Sequence, residues 1–255
     1  MHAPSRPFWF WAIPVNIVII ALITVFILVI DEDEAAPVAE GQTAEPAAEP
    51  AGEEVRRIES TAKRDADDPF ALGQVDAPVA MVVYSDYQCP YCAQHAVTTE
   101  IALIEEYVNA GTLRIEWRDL DFFGEDSERA ARAAWAAGQQ SMFHEFHGAL
   151  YGDGEQLTPA DLTEEALLEV AEQFGLDTAT FSADTESAEA ADWVEANVDE
   201  ASAIGAFNTP SFLVNGQPLA GALPAEEFEA AIELAAETAP YDPAADPAAD
   251  PAEAG

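Results

Sequence analysis

The sequence predicts an α/β domain whose β-α-β opening and β-β-α closing are separated by a helical insert. Three observations predict it. Residues 79–84 (VAMVVY) form a nearly unbroken apolar run, as a strand buried on both faces requires. Directly afterwards the apolar positions change to the three- and four-residue steps of a helix. Towards the other end, Ser211-Phe212-Leu213-Val214 and Pro218-Leu219 flank Asn215-Gly216, the strongest short-range hairpin signal.

Taken in order, the first strand is followed by a helix over 90–109. Cys92, Ala96, Thr99, Leu103, Ile104 and Tyr107 share one of its faces. Pro90 suits the first helical position and Gly111 the left-handed cap beyond the end. Residues 112–117 alternate, with Leu113, Ile115 and Trp117 against Thr112, Arg114 and Glu116, a second strand. The insert, about 125–205, opens with an alanine-rich helix over 127–140 around Trp135 and a second over 142–151. Thr158-Pro159-Ala160-Asp161 resembles a capping box leading to a helix that stops at Gly175. A further helix is expected over 188–204, with Trp135 and Trp193 as core anchors. After the hairpin, whose Pro218 marks a short or edge strand, 224–237 forms the closing helix with Phe228, Ile232 and Leu234 facing inward.

The flanks read differently. Residues 8–30 are an uncharged run broken only by Pro14 and Asn16, long enough at ~1.5 Å per residue to cross a ~30 Å hydrocarbon core. Its length and the poor cleavage site after it predict a retained signal anchor, with Phe8, Trp9 and Trp11 at one interface. Arg6 precedes the run and no Lys or Arg follows until Arg56, so residues 1–7 are expected in the cytoplasm and the remainder outside. Residues 31–66, rich in Ala, Pro and Glu, read as a flexible tether. Residues 240–255, with Asp-Pro-Ala-Ala repeated, read as a tail. The folded domain is therefore expected over 67–239.

Nine basic against 49 acidic residues give a formal charge of −40. This excludes nucleic acid as a partner, since phosphate binding needs clustered cations. A hydrophobic fraction of 49% suffices for a core. The chain has two cysteines, in Cys89-Pro90-Tyr91-Cys92. Such a pair can be half of a metal site, a static disulfide or a redox couple. Zinc would need two further ligands, for which His95, His144 and His147 are the candidates. A static bridge over so short a loop stabilises little. A redox couple fits the strand-to-helix junction, where unpaired amides and the helix dipole favour thiolate at the first cysteine. Cys89 is then the exposed nucleophile and Cys92, one turn inside, its resolving partner. His95 reads as a helix-surface residue, and His144 and His147 as packing or capping groups. No phosphate loop, serine nucleophile elbow or nucleotide fingerprint is present.

The run Tyr84-Ser85-Asp86-Tyr87-Gln88-Cys89-Pro90-Tyr91-Cys92, together with Asn208-Thr209-Pro210 before the hairpin, resembles the DsbA-type branch of the thioredoxin superfamily. The resemblance covers roughly residues 68–237 and includes Asp68-Pro69, Asp76-Ala77-Pro78 and the segment 143–150 with His147. It implies a thioredoxin-like fold with a helical insert, which the uncharged run at 8–30 precedes with one N-terminal transmembrane helix. It also implies extracytoplasmic thiol-disulfide exchange through Cys89 and Cys92. Pro210 would be cis beside the cysteines, and Thr209 would offer its backbone to a substrate strand. Pro90-Tyr91 lacks the histidine of strongly oxidising members, which implies a milder oxidant. Val83 stands where many members carry a buried acid, and Asp86 reads as a solvated loop acid. The implied substrates are cysteine-containing exported proteins, oxidised by a monomer that needs no cofactor beyond its own disulfide. A quinone-linked membrane oxidase would restore that disulfide. A reductase of the same fold, or a non-catalytic binding or chaperone-like module, is the competing reading.

Overall fold

A computed structural model describes residues 61–238 together with 240 and 241. The expected anchor, the cytoplasmic N-terminus, most of the tether and most of the tail lie outside them. Among the described residues no helix is long and apolar enough to cross a membrane.

Five strands form one sheet. They are β1 (Ala71–Leu72), β2 (Val79–Ser85), β3 (Leu113–Asp119), β4 (Ser211–Val214) and β5 (Gln217–Ala220). The order is β1-β3-β2-β4-β5, with β2 and β3 parallel and the other pairs antiparallel. β2 is central and buried along its whole length, which is why its sequence does not alternate. Its two faces build two cores. Val79, Met81 and Val83 pack with Leu103, Phe212 and Phe228, whereas Val82 and Tyr84 pack with Leu120, Ala201 and Leu213. At the hairpin Asn215 and Gly216 both take positive φ, 43° and 79°, as a twist-matched two-residue turn demands. The Asn215 side chain also ties the turn to β2, accepting from the Ala80 amide at 2.8 Å and donating to the Pro78 carbonyl at 3.1 Å.

After β2 one continuous helix, α1, runs through Pro90–His95, Ala96–Glu100, Ile101–Leu103 and Ile104–Val108. Its second and fourth segments are wound in the wider π geometry. Each wide turn uses an extra residue, so the buried stripe drifts. Thr99 and Glu100 both point inward, as do His95 and Ala96. The remaining helices are α2 (Glu125–Gln139), α3 (Phe143–Tyr151), α4 (Glu164–Gln173), α5 (Thr178–Thr185), α6 (Ala188–Ala203) and α7 (Ala225–Thr238).

Several expectations are corrected. β1 and α5 carry no sequence signal strong enough to announce them: β1 is two residues long, and α5 has almost no amphipathic stripe. Thr158 and Asp161 make a closed turn of their own, the Thr158 hydroxyl donating to Asp161 at 2.6 Å. The cap of α4 is instead Thr163, whose hydroxyl accepts from the Ala166 amide. Leu234, expected inside, is 61% exposed because α7 turns Phe228, Ile232 and Ala235 to the sheet. The polar face of β3 is buried as well. Glu116 accepts from Arg114 and Arg118, both at 2.9 Å, and from the backbone amides of Lys63 and Arg64. Residues 61–66, assigned by composition to the tether, thus begin seated on β3, with Thr61 buried. Tyr241, assigned to the tail, donates its amide to the Pro78 carbonyl at 2.8 Å, and the Arg64 guanidinium lies 3.7 Å above its ring.

Candidate active site

The end of β2 and the start of α1 are joined by a loop that Asp86 organises. Its carboxylate accepts from the Gln88 amide at 2.8 Å, the Ser127 hydroxyl at 2.6 Å and the Phe123 amide at 3.2 Å. Asp86 is fully buried, not the solvated acid its sequence neighbourhood suggests: loop polarity conceals a residue that holds three donors from two elements. The backbone then turns into the helix, Cys89 donating its amide to the Asp86 carbonyl at 3.0 Å. Cys89 occupies the cap position in extended conformation and Pro90 the first turn, as proline's missing N–H allows.

Cys89 and Cys92 are both free thiols. Cys89 was expected to be exposed at the helix tip, yet only 2% of it is accessible. The reason is the loop before β4, which closes over it. The Cys89 thiol donates to the Thr209 carbonyl at 3.3 Å, and the Thr209–Pro210 peptide is cis. The structure therefore brings Cys89, Cys92, Thr209 and Pro210 together, while Tyr91 projects outward.

The two thiols are driven apart in acidity. A hydrogen bond from Cys92 outweighs burial and, with the Thr209 hydroxyl and the Cys92 and Tyr91 amides, lowers Cys89 to about 6. Burial, then the neighbouring Cys89, push Cys92 strongly upward. The surroundings thus favour the thiolate at Cys89 and the thiol at Cys92.

Behind this pair lies a buried polar cluster that pattern reading missed. Tyr87 donates to Asp119 at 2.9 Å and contacts His147 Nδ1 at 3.0 Å. A phenol has one proton. Given to Asp119, it leaves Tyr87 accepting from His147 Nδ1–H. His147 Nε2 lies 3.5 Å from Glu100 Oε1, so both ring nitrogens face acceptors and the imidazolium is favoured. Burial opposes this charge, but the Glu100 contact overrides it and raises His147; burial likewise opposes Glu100, which His147 holds low. Trp117 Nε1 donates to the other Glu100 oxygen at 2.9 Å. Burial lifts Asp119 to about 6 despite His147 and Tyr87. His147 is therefore more than a packing group. His95 is not on the surface either. It lies between Phe212 and Phe228, at ring separations of 4.6 and 5.1 Å, and burial lowers it to about 4. Among the described residues no group of three or more His, Cys, Asp or Glu is arranged to hold a metal ion.

Comparison with known proteins agrees with this architecture. Residues 65–234 match the family model described as thioredoxin. Over 150 residues the chain is 32% identical to a probable disulfide bond formation protein D of Bacillus anthracis, covering 57% of this chain and 69% of that one. It is 34% identical over 170 residues to Na(+)/H(+) antiporter NhaA 3 of Salinispora tropica. That match takes in 66% of this chain but spans only 25% of the antiporter. Among solved structures, a thioredoxin-like oxidoreductase from Silicibacter pomeroyi superposes with a TM-score of 0.58 at 32% identity, covering 69% of this chain and 96% of that one.

Proposed function

The chain belongs to the thioredoxin family, in its DsbA-type branch, and from that premise we propose that it is a thiol-disulfide oxidoreductase working as an oxidase of exported proteins. The observation that carries the proposal is the placement of Cys89 and Cys92 at the start of α1 beneath the cis Thr209–Pro210 loop, where a hydrogen bond from Cys92 lowers Cys89 and burial raises Cys92. In the oxidised form a substrate thiolate attacks Cys89 Sγ. The Cys89–Cys92 bond breaks, and Cys92 leaves as a thiolate that takes up a proton. A second substrate thiolate then attacks the substrate sulfur of the mixed disulfide and expels Cys89 as thiolate. Two electrons pass from the substrate pair to the enzyme pair. A leaving thiol of low pKa departs faster, and a stabilised thiolate in the reduced form raises the oxidising power of the couple. Thr209, whose carbonyl reaches Cys89, is assigned the edge on which the substrate strand lies, with Pro210 fixing that edge.

The uncharged run at 8–30 supports a membrane anchor that places the domain outside the cell. Reoxidation is assigned to a quinone-linked membrane partner. The reductase is the reading to be eliminated. Equilibrating the full chain, in neutral detergent, against glutathione buffers and counting alkylated thiols tests the direction. A couple more oxidising than glutathione is expected; a strongly reducing couple means a reductase, and a pair that cannot be cycled ends the catalytic reading.

A further inference from the structure

Three large apolar side chains are exposed on segments that meet at the Cys89 loop. Tyr91 is 62% exposed, Phe123 53% and Phe207 68%. Each belongs to a different segment, and each segment is fastened to the same loop. Tyr91 lies two residues beyond Cys89. Phe207 lies two residues before Thr209, whose carbonyl takes the Cys89 thiol. Phe123 donates its amide to Asp86, three residues before Cys89. A fourth segment closes the ring: Gln156 donates to the Gln88 carbonyl at 2.9 Å, bringing exposed Asp153 and Glu155 beside the cysteine loop.

The charge on this face has one sign. Glu125 follows Phe123 and is exposed, as are Asp153 and Glu155. The arginines of the described chain are each engaged by other groups. Arg114 and Arg118 are buried against Glu116, Arg129 pairs with Asp126, and Arg132 pairs with Glu128. Arg64 donates to the Val75 and Ala77 carbonyls, and the backbone amide of Lys63 is held by Glu116 on β3. Apolar rings within an anionic rim complement apolar side chains carried by a cationic chain.

We propose that this ring is a docking surface for polypeptide segments in which large apolar residues and Lys or Arg flank the reacting cysteine. The proposal rests on the exchange activity argued above and names its substrate class. Opposite charge speeds encounter and lowers KM, and salt removes that advantage. The apolar rings hold the segment once it has arrived.

The test uses the full oxidised chain and two reduced peptides, identical except that Lys or Glu flanks a cysteine set between leucines. Dithiothreitol, an uncharged small dithiol, measures exchange without docking, and every peptide rate is divided by the rate of the same protein with it. The Lys peptide should be oxidised with a kcat/KM about tenfold above the Glu peptide at low ionic strength, the ratio approaching one in 1 M NaCl. Asp153→Asn with Glu155→Gln should lower that ratio about threefold, and Phe207→Ser should slow both peptides. Equal rates for the two peptides alongside normal dithiothreitol turnover overturn the docking surface and leave the oxidoreductase standing. So does an equal loss from Asp192→Asn with Glu195→Gln, two exposed acids of α6 outside the four segments of the ring, because the preference would then belong to the whole molecule's field. Failure to oxidise dithiothreitol removes the activity and the docking surface together.

Discussion

At Cys89 the geometry makes a quantitative statement about reactivity. Its largest support is the hydrogen bond from Cys92, so the two sulfurs are chemically unequal because each sees the other. Alkylation of the reduced protein by iodoacetamide should reach half its limiting rate near pH 6, with Cys92 inert. Cys92→Ala should move that midpoint upward by about one unit or more, since a hydrogen bond to an ion is worth roughly 1.5–3 kcal/mol. The same variant should accumulate mixed disulfides through Cys89. An unmoved midpoint would assign the acidity to Thr209 and the helix amides instead. The linkage has a definite sign. Cys89 is depressed in the folded chain, so its contribution to the reduced protein's stability is fully present above the unfolded thiol value and lost as pH falls towards about 6. The disulfide form has no such dependence.

At the scale of elements, α1 is tied to the insert through Glu100 and His147. His147 is raised, so its contribution is present below its unfolded value and lost as pH rises through the folded one. Glu100 is lowered, so its contribution is present above its unfolded value and lost as pH falls through the folded one. The pair therefore stabilises most in mildly acidic solution. Glu100→Gln should cost about 3–5 kcal/mol there, because removing one partner strands a buried charge, and the deficit should shrink above neutral pH. Asp119 also interacts with His147 and so shares in the change, and urea unfolding at several pH values measures the sum. A second element contact is steric. A Cβ at Gly138 of α2 would come 2.5 Å from Phe70 Cε1. Phe70 is hemmed in, edge-on to Phe143 at 5.2 Å and tilted against Trp193 at 4.5 Å. Gly138→Ala gains at most about 1 kcal/mol of helix propensity and meets about 1–3 kcal/mol of overpacking; the sum should lower the unfolding midpoint. What was legible from sequence divides along the same line. Val79–Ser85, the helix after it and the Asn215-Gly216 hairpin announce themselves because their signals are local. Cys89 and Cys92 with Thr209 and Pro210 were legible through motif resemblance. Glu100, Asp119 and the buried states of His95, His147 and Asp86 were not. Each depends on a partner from another element, and Glu100 also on a π turn that rotates it inward, which three- and four-residue spacing does not register.

For the whole molecule the governing quantity is charge. With 49 acidic and nine basic residues, and the arginines of the described domain committed to buried or local partners, the surface repels itself. Such repulsion weakens the compact state. Salt acts on it selectively. The Debye length shrinks from ~10 Å at 0.1 M to ~3 Å at 1 M, which screens exposed carboxylates from one another. The Arg114–Glu116–Arg118 group, buried at 2.9 Å contacts, has little solvent through which to be screened. Repulsion should therefore fall faster than attraction as NaCl is added. If about 1–2 kcal/mol is released, the melting temperature should rise by roughly 3–6 °C for a domain of this size. Thermal unfolding of the full chain from 0.05 to 1 M NaCl measures it. A falling melting temperature would mean that exposed ion pairs, not self-repulsion, dominate the surface, and the anionic rim around Cys89 would then be a weaker lure for cationic segments than its composition implies.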